Sequence, residues 1–248
     1  MIDIHSHVLF EMDDGAESID ISIEMCDDSY QNGCDVLVLT PHLMDFRDID
    51  EFVTERNARI DILRKVLAEE EIPLELCAGA ELYLTDQIFD ADNLDSVTLN
   101  GTRYILCEIP MGSFDTRNVV KWFDELISRG YTPILAHPER YYEFHQNFDL
   151  VDKILDRGVI FQVNLDSLIG ENGVAAQEMA IDMVCLGIAP LIASDAHDLD
   201  YRHTRLIEKL NELPEDIPEE LIEKCLHENP EKILNNENLG LIYKKEDT

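Results

Sequence analysis

The sequence predicts an α/β fold built on a parallel sheet, either doubly wound or closed into a barrel, and three observations carry that expectation. Apolar, β-rich runs recur with amphipathic helical stretches between them. Glycines stand where helices should stop, and residues able to ligate metals stand just beyond most of the runs. The predicted strands cover residues 2–5, 36–40, 74–78, 104–108, 132–136, 159–164 and 190–194. The first is marked by Ile2 and Ile4 alternating with Asp3 and His5, which sends successive side chains to opposite faces. Helical stretches fill the intervals at 17–32, 49–71, 117–129, 150–157 and 173–186. Gly33, Gly130, Gly158 and Gly187 each fall between a helix and the next strand, where a helix C-cap is expected. A closing helix is predicted over 219–234, then a charged end at 244–248. No repeat, low-complexity tract or Pro/Gly/Ser-rich linker interrupts the pattern, so residues 1–248 are expected to form a single domain, a size α/β barrels reach.

Fifty-three acidic against 19 basic residues give a net charge of −34 in a chain that is still 45% hydrophobic, which implies a folded domain with an acidic surface. A phosphate backbone is gripped by Lys and Arg, and no basic stripe supplies that, so nucleic acid is excluded as a partner. Carboxylates can ligate hard divalent cations, although most of those here are expected to be solvated helix faces. The six cysteines are scattered with no C-x-x-C pair, a usage that fits reduced thiols in a cytosolic core. No apolar run approaches a membrane span and no basic-plus-apolar leader precedes His5, so a cytoplasmic protein without membrane insertion is expected.

The opening MIDIHSHVLFEMDDGAES puts Asp3, His5, His7, Glu11, Asp13 and Asp14 into fourteen residues. Beyond the later strands come His42 in TPHL, Glu81 in GAEL, Glu108 in CEIP, His137 and Arg140 in AHPER, Asn164, and Asp195 with His197 in ASDAH. In an α/β barrel the reactive groups come from the C-terminal ends of different strands, because the loops meet there above the core. A lone His after a strand is more often a hydrogen-bonded turn residue, but five of the eight histidines fall at such positions. His145, His203 and His227 are read as surface or helix residues, with His203 the one that could approach the site. Imidazoles mixed with carboxylates suit manganese, iron or zinc, and the lack of a strand-end cysteine argues against a structural zinc site. One catalytic metal takes about three protein ligands. The nine candidates His5, His7, Asp14, His42, Glu81, Glu108, His137, Asp195 and His197 therefore imply a cluster of two or three divalent ions, with Glu81 and Asp195 as the bridging carboxylates. Such a cluster suits phosphoester or amide hydrolysis. Arg140 and Arg202 favour phosphate, which guanidinium grips bidentately. Pairing with a nearby carboxylate is the plainer reading of either. The place of Arg140 directly behind His137 favours the phosphate role, and for Arg202 both readings stay open.

The set IHSHVLFEMDDG, TPH, GAELY, CEIP, AHPERY, QVN and ASDAHDLDYR resembles the PHP (polymerase and histidinol phosphatase) superfamily, and most closely its bacterial protein-tyrosine phosphatase branch of the CpsB/YwqE type. The resemblance runs from residue 1 to the NPEKIL stretch at 229–234. It implies a distorted (βα)7 barrel, a manganese-preferring and usually trinuclear site with iron, zinc or magnesium as other candidates, the nine ligands above, and Arg140 and Arg202 as phosphate-binding residues. The implied activity is hydrolysis of phosphotyrosine in proteins by a metal-bridging hydroxide, with a capsule or exopolysaccharide tyrosine kinase and sugar-transferase regulators as substrates. Phe10 and Glu11 stand where the branch often has Pro-Gly, and residues 111–116 (MGSFDT) do not align with it, so the departures touch the substrate rim. None of the cysteines has an Arg six residues on, so the Cys-x5-Arg phosphatase loop is absent and any phosphatase activity must be metal-based. The sequence offers no clear general acid, and a phenol leaving group with a pKa of about 10 does not demand one.

The other readings are a small-molecule phosphatase of the same superfamily, such as a histidinol-phosphate phosphatase, and a non-enzymatic module that kept the barrel. A nuclease is disfavoured by charge. An amidohydrolase is disfavoured because Glu108 stands where that class usually has Lys.

Overall fold

The computed structural model describes residues 1–44, 48–112 and 114–240. β1 (Ile2–Ser6) leads through α1 (Ile19–Gln31) to β2 (Val36–Leu39), which steps past Pro41 into the short β3 (His42–Leu43). α2 (Ile49–Glu69) follows, then β4 (Glu75–Ala78) and its continuation β5 (Glu81–Tyr83). Three 3-10 turns lead to β6 (Tyr104–Glu108), α3 (Thr116–Ser128) and β7 (Thr132–Ala136). A 3-10 turn at Pro138–Arg140, α4 (Tyr142–Gln146) and α5 (Phe148–Leu155) precede β8 (Ile160–Asn164). The chain continues through α6 (Leu165–Leu168), α7 (Val174–Cys185), β9 (Leu191–Ala193), α8 (Leu206–Leu210), α9 (Glu219–Glu223) and α10 (Asn229–Leu234). The helix starts follow local chemistry: Ser18, Asp48 and Asp115 each cap their helix by accepting a backbone N–H with a side-chain oxygen.

All pairings are parallel, in the orders β1-β2-β4 and β3-β5-β6-β7-β8-β9. Because β3 prolongs β2 and β5 prolongs β4, the two sheets make seven strand positions, matching the seven predicted strands. The ring closes where Ser6 bridges Ala196 and the Asp195 N–H donates to the His5 carbonyl at 2.9 Å. The result is a (βα)7 barrel, distorted at the two breaks and at the thin β1/β9 seam. Ile4, Val38, Leu106, Ile134 and Leu191 fill its interior, joined by Ile233 of α10. Their strand neighbours Leu37, Ile105, Leu135 and Ile192 face the helices. Truncating one of these fully buried residues to Ala costs about 2–5 kcal/mol.

Several expectations are adjusted. The alternation predicted for the first strand breaks, because β1 shifts register between Asp3 and Ser6. Ile4 therefore packs with the interior cluster while the adjacent His5 meets Gln162 at the mouth. The closing helix predicted over 219–234 is present over those residues, as one continuous helical run of α9, a wide π turn at Lys224–Glu228, and α10, with Pro230 just after the π turn. The helix predicted at 150–157 begins at Phe148. The glycine stop at Gly187 takes φ 70°, the left-handed conformation expected there. The charged end at 244–248 lies outside the described residues, as does Ser113 of the MGSFDT stretch. No helix among the described residues is long and apolar enough to cross a membrane.

Candidate metal centre

The interior apolar cluster stops at the C-terminal ends of the strands, and polar side chains replace it. All nine predicted ligands are there. Seven fall into three overlapping groups whose donor atoms lie within 4.8 Å of one another: His7, Asp14, His42 and His197; His5, His7 and Glu81; His42, Glu81 and Glu108. The other two, His137 and Asp195, touch these groups directly. His137 Nε2 is 3.1 Å from Glu81 Oε1, and Asp195 Oδ1 is 3.3 and 3.4 Å from the Nε2 atoms of His5 and His7. Glu81 sits at the middle. Its Oε2 lies 3.3 Å from both His5 and His7 Nε2 and 3.0 Å from His42 Nδ1, which suits the bridging part expected of it.

The imidazoles are aimed from behind. His5 Nδ1 donates to Gln162 Oε1 at 2.8 Å, His7 Nδ1 to Asp13 Oδ2 at 2.7 Å, and His197 Nδ1 to the Asp195 carbonyl at 2.9 Å. With Nδ1 carrying the proton, the Nε2 lone pair of each faces the centre, which is how an acceptor behind the ring orients a metal-binding histidine. His42 Nδ1, Glu81 Oε2 and His197 Nε2 are buried without a hydrogen-bond partner. Orphaned buried donors and acceptors are rare, and here they converge in a mixed imidazole and carboxylate set, so the residues present fit divalent cations.

Backbone strain and a close approach shape the rim. His137 and Asp195 take left-handed φ values of 39° and 53°, sparsely populated for such residues and typical of functional turns. A Cβ on Gly15 would fall 1.9 Å from the His7 carbonyl oxygen. Only glycine lets the DDG turn pack so closely that Ala16 N–H bonds to the His7 carbonyl at 3.1 Å. That turn separates two adjacent aspartates. Asp13 goes under the site, holding His7 Nδ1, the His42 N–H at 2.8 Å and the Gly15 N–H at 3.0 Å. Asp14 goes outward, 69% exposed, and reaches His42 and His197 Nε2 at 3.5 Å.

The electrostatics are those of a cluster in which protons stand where cations could. Burial opposes charge on His5 and His7, yet Glu81 and Asp195 around the first and Asp13 beside the second raise both pKa values. Burial likewise opposes charge on His42, but Glu108 and Glu81 push its pKa up to about 10. Burial disfavours ionised Glu81 and Asp195, and the surrounding imidazoles, with Arg202 at Asp195, outweigh it and hold both well below the usual carboxylate range. His197 is lowered, by burial first and then by His7. The approach of His197, 3.5 Å away, and then the charges of His42 and His7 hold Asp14 low.

Arg140 and Arg202 both reach the site, and both meet a carboxylate. Arg140 Nη1 donates to Asp195 Oδ2 at 3.3 Å and Arg202 Nη2 to the same oxygen at 2.7 Å. Asn164 Nδ2 adds a third bond to that oxygen at 2.7 Å, leaving Oδ1 for the histidines. The plainer reading of the arginines as carboxylate partners is thus satisfied for part of each fork. The guanidiniums remain partly exposed at the mouth, with most of their five donors available. Of the three histidines set aside, His145 donates to the Glu139 carbonyl at 2.7 Å and His227 lies 3.6 Å from Glu223. His203, read as a surface or helix residue, is instead buried and outside any helix; it accepts the Arg205 N–H with Nδ1 at 3.2 Å and is not among the three groups.

Sequence reasoning noted Asp13 and Asn164 at this face without giving either a role, and passed over Gln162. Asp13 stood beside Asp14 in the opening stretch, and Gln162 and Asn164 share one face of a predicted strand. Their spacing was the available signal.

The sequence pattern of the family described as capsular polysaccharide synthesis, CpsB/CapC, matches residues 1–235. Tyrosine-protein phosphatase YwqE of Bacillus subtilis (strain 168) is 33% identical over 240 residues, 96% of this chain and 93% of YwqE. Tyrosine-protein phosphatase CpsB of Streptococcus pneumoniae is 28% identical over 242 residues, 94% of this chain and 98% of CpsB. Solved structures of YwqE and CpsB from these organisms are described as unique metal-dependent tyrosine phosphatases, and the match has a TM-score of 0.84 at 32% identity over 96% of both chains. The phosphotriesterase homology protein of Escherichia coli, at 13% identity and a TM-score of 0.53 over 93% of this chain and 97% of its own, shares the fold alone. Barrel, strand-end cluster and sequence thus agree, and the chain belongs to the CpsB/CapC family.

Proposed function

We propose that this protein is a metal-dependent phosphatase that hydrolyses phosphotyrosine in proteins, with a bacterial capsule or exopolysaccharide tyrosine kinase as its substrate. The observation that carries the reading is the aim of the imidazoles: His5, His7 and His197 are each anchored through Nδ1 and present Nε2 to carboxylates that need a cation. The reading takes residues 1–248 as one PHP domain. It assigns His5, His7, Asp14, His42, Glu81, Glu108, His137, Asp195 and His197 to two or three divalent ions, manganese foremost. Such ions, when bound, supply Lewis-acid stabilisation of phosphoryl oxygens and a water of lowered pKa.

The chain's own residues supply the rest. Arg140 and Arg202, partly exposed at the mouth, grip the non-bridging oxygens of an incoming phosphate with donors that Asp195 leaves unused. Fixed by Asp195, these forks are preorganised toward the charge that grows in the transition state. Protons held on His5, His7 and His42 in the cation-free cluster leave as cations enter, so loading releases protons and weakens as pH falls. The phenolate of tyrosine leaves without a strong acid, in keeping with a site that presents none.

The test is hydrolysis of a phosphotyrosine peptide, a phosphoserine peptide and histidinol phosphate by manganese-loaded protein, beside a chelator control and Arg140→Ala. Preference for phosphotyrosine, lost with chelator and with the variant, is expected. Turnover of histidinol phosphate alone would make it a small-molecule phosphatase, and turnover of none would leave a binding module.

A further inference from the structure

Away from the metal cluster, α5 and α7 flank β8 on the outside of the barrel, and a groove of about 390 Å³ runs between them. Val151, Met179, Met183 and Ile188 form its floor, while Phe148 and Leu186, 70% and 67% exposed, stand at its edges. Large apolar side chains so exposed around a concave apolar floor are the mark of a surface that something covers, and methionines let such a floor adapt to its occupant.

Charge selects the occupant. Asp152, Glu178 and Asp182 line the same groove, and neither Glu178 nor Asp182 has an ion pair with Lys or Arg among the described residues. With a net charge of −34 and only 19 basic residues, the chain carries a field that draws in cationic segments and repels a second copy of itself. The groove also leads to the active face. His145 lines it, and the same ring holds the Glu139 carbonyl in the turn that carries Arg140.

We infer that the α5/α7 groove docks an amphipathic segment of the protein substrate, apolar on one side and bearing Lys or Arg, at a distance in sequence from its phosphotyrosine. The inference rests on the phosphatase reading for the substrate's identity but not for the groove's chemistry. Apolar side chains enter between Phe148 and Leu186, and the basic ones meet Glu178 and Asp182.

The probe is a labelled amphipathic peptide of leucine and lysine, titrated into the full chain and into Glu178→Lys/Asp182→Lys and Phe148→Ser/Leu186→Ser variants, all at exposed or rim positions outside the metal cluster. Binding by the parent chain, weakened about tenfold or more in both variants, is expected. In parallel, a phosphotyrosine peptide extended by the same segment should show a KM raised by a similar factor in the variants, with hydrolysis of 4-nitrophenyl phosphate unchanged. Equal binding across all three proteins, or no binding by the parent, overturns the proposal. So does a parent dimer that the groove variants dissolve in sedimentation, because a second copy would then be the occupant. If no phosphate is released from any substrate, the phosphatase reading fails while the peptide titration still decides the groove.

Discussion

Replacing Asp13 with Asn removes one charge from beneath the cluster while keeping shape. In the parent chain Asp13 Oδ2 accepts from His7 Nδ1 and from the His42 N–H, and Oδ1 accepts from the Gly15 N–H. An amide oxygen can replace Oδ2, but the amide nitrogen then opposes the Gly15 N–H, two donors face to face. Loss of the Gly15 bond costs about 1 kcal/mol, and the His7 bond loses its charge assistance, about another 1 kcal/mol. Together they come to roughly 2 kcal/mol, or about 30-fold at 1.4 kcal/mol per decade, within the 10- to 100-fold range for groups that orient metal ligands. The assay is a manganese titration followed by the thermal midpoint, with hydrolysis of 4-nitrophenyl phosphate recorded in the same samples. The half-saturating manganese concentration should rise about 30-fold while activity at saturating metal is largely recovered. A half-saturation point within about twofold of the parent would refute the assignment of Asp13 as the group that aims His7.

Other outcomes follow from the same geometry. Arg140→Ala and Arg202→Ala should each lower kcat/KM for aryl phosphates by about 100-fold or more, with Lys restoring little because it lacks the fork; a loss under tenfold in both would reduce them to partners of Asp195. In chelator-treated protein, His42 has its pKa raised from 6.5 to about 10, so the stability it adds is complete below about 6.5 and is lost as pH rises through about 10. The thermal midpoint should therefore fall from neutral pH toward pH 10, and His42→Gln should flatten that fall; an unchanged slope would contradict it. Lys209 is buried, pairs with buried Asp166 and donates to the His203 carbonyl at 2.9 Å, so Lys209→Met should cost about 3–5 kcal/mol in urea unfolding. Adding Asp166→Asn should restore part of that loss, and no recovery would mean the pair is not what Lys209 contributes.

Strand number and the location of the site were legible because one topological rule serves both. Parallel strands all end on one face, so His42, Glu81, Glu108, His137 and Asp195 had only to follow strands to meet. What was not legible depends on geometry finer than periodicity. β3 is two residues long, shorter than any alternation, and the register shift in β1 that sends Ile4 and the adjacent His5 into the interior together leaves no trace in IDIHS. Asp13 and Asp14 are chemically identical neighbours, and only the approach of Gly15 to His7 assigns one beneath the rings and the other to the rim. The convergence of Arg140, Arg202 and Asn164 on one oxygen of Asp195 joins the end of β8 to two separate connections, which no local pattern encodes.

The thin seam between β1 and β9 has a consequence for the order of events during synthesis. Asp3 and Ser194, 191 residues apart, hydrogen-bond across it, and beside them His5 and His7 face Asp195. On a ribosome the first histidines emerge long before the aspartate that completes their surroundings. A nascent chain therefore has no assembled centre until almost the whole barrel has been made. Cations taken up at that stage would rivet the first strand to the last, making the final ring closure and the onset of chemical competence a single event.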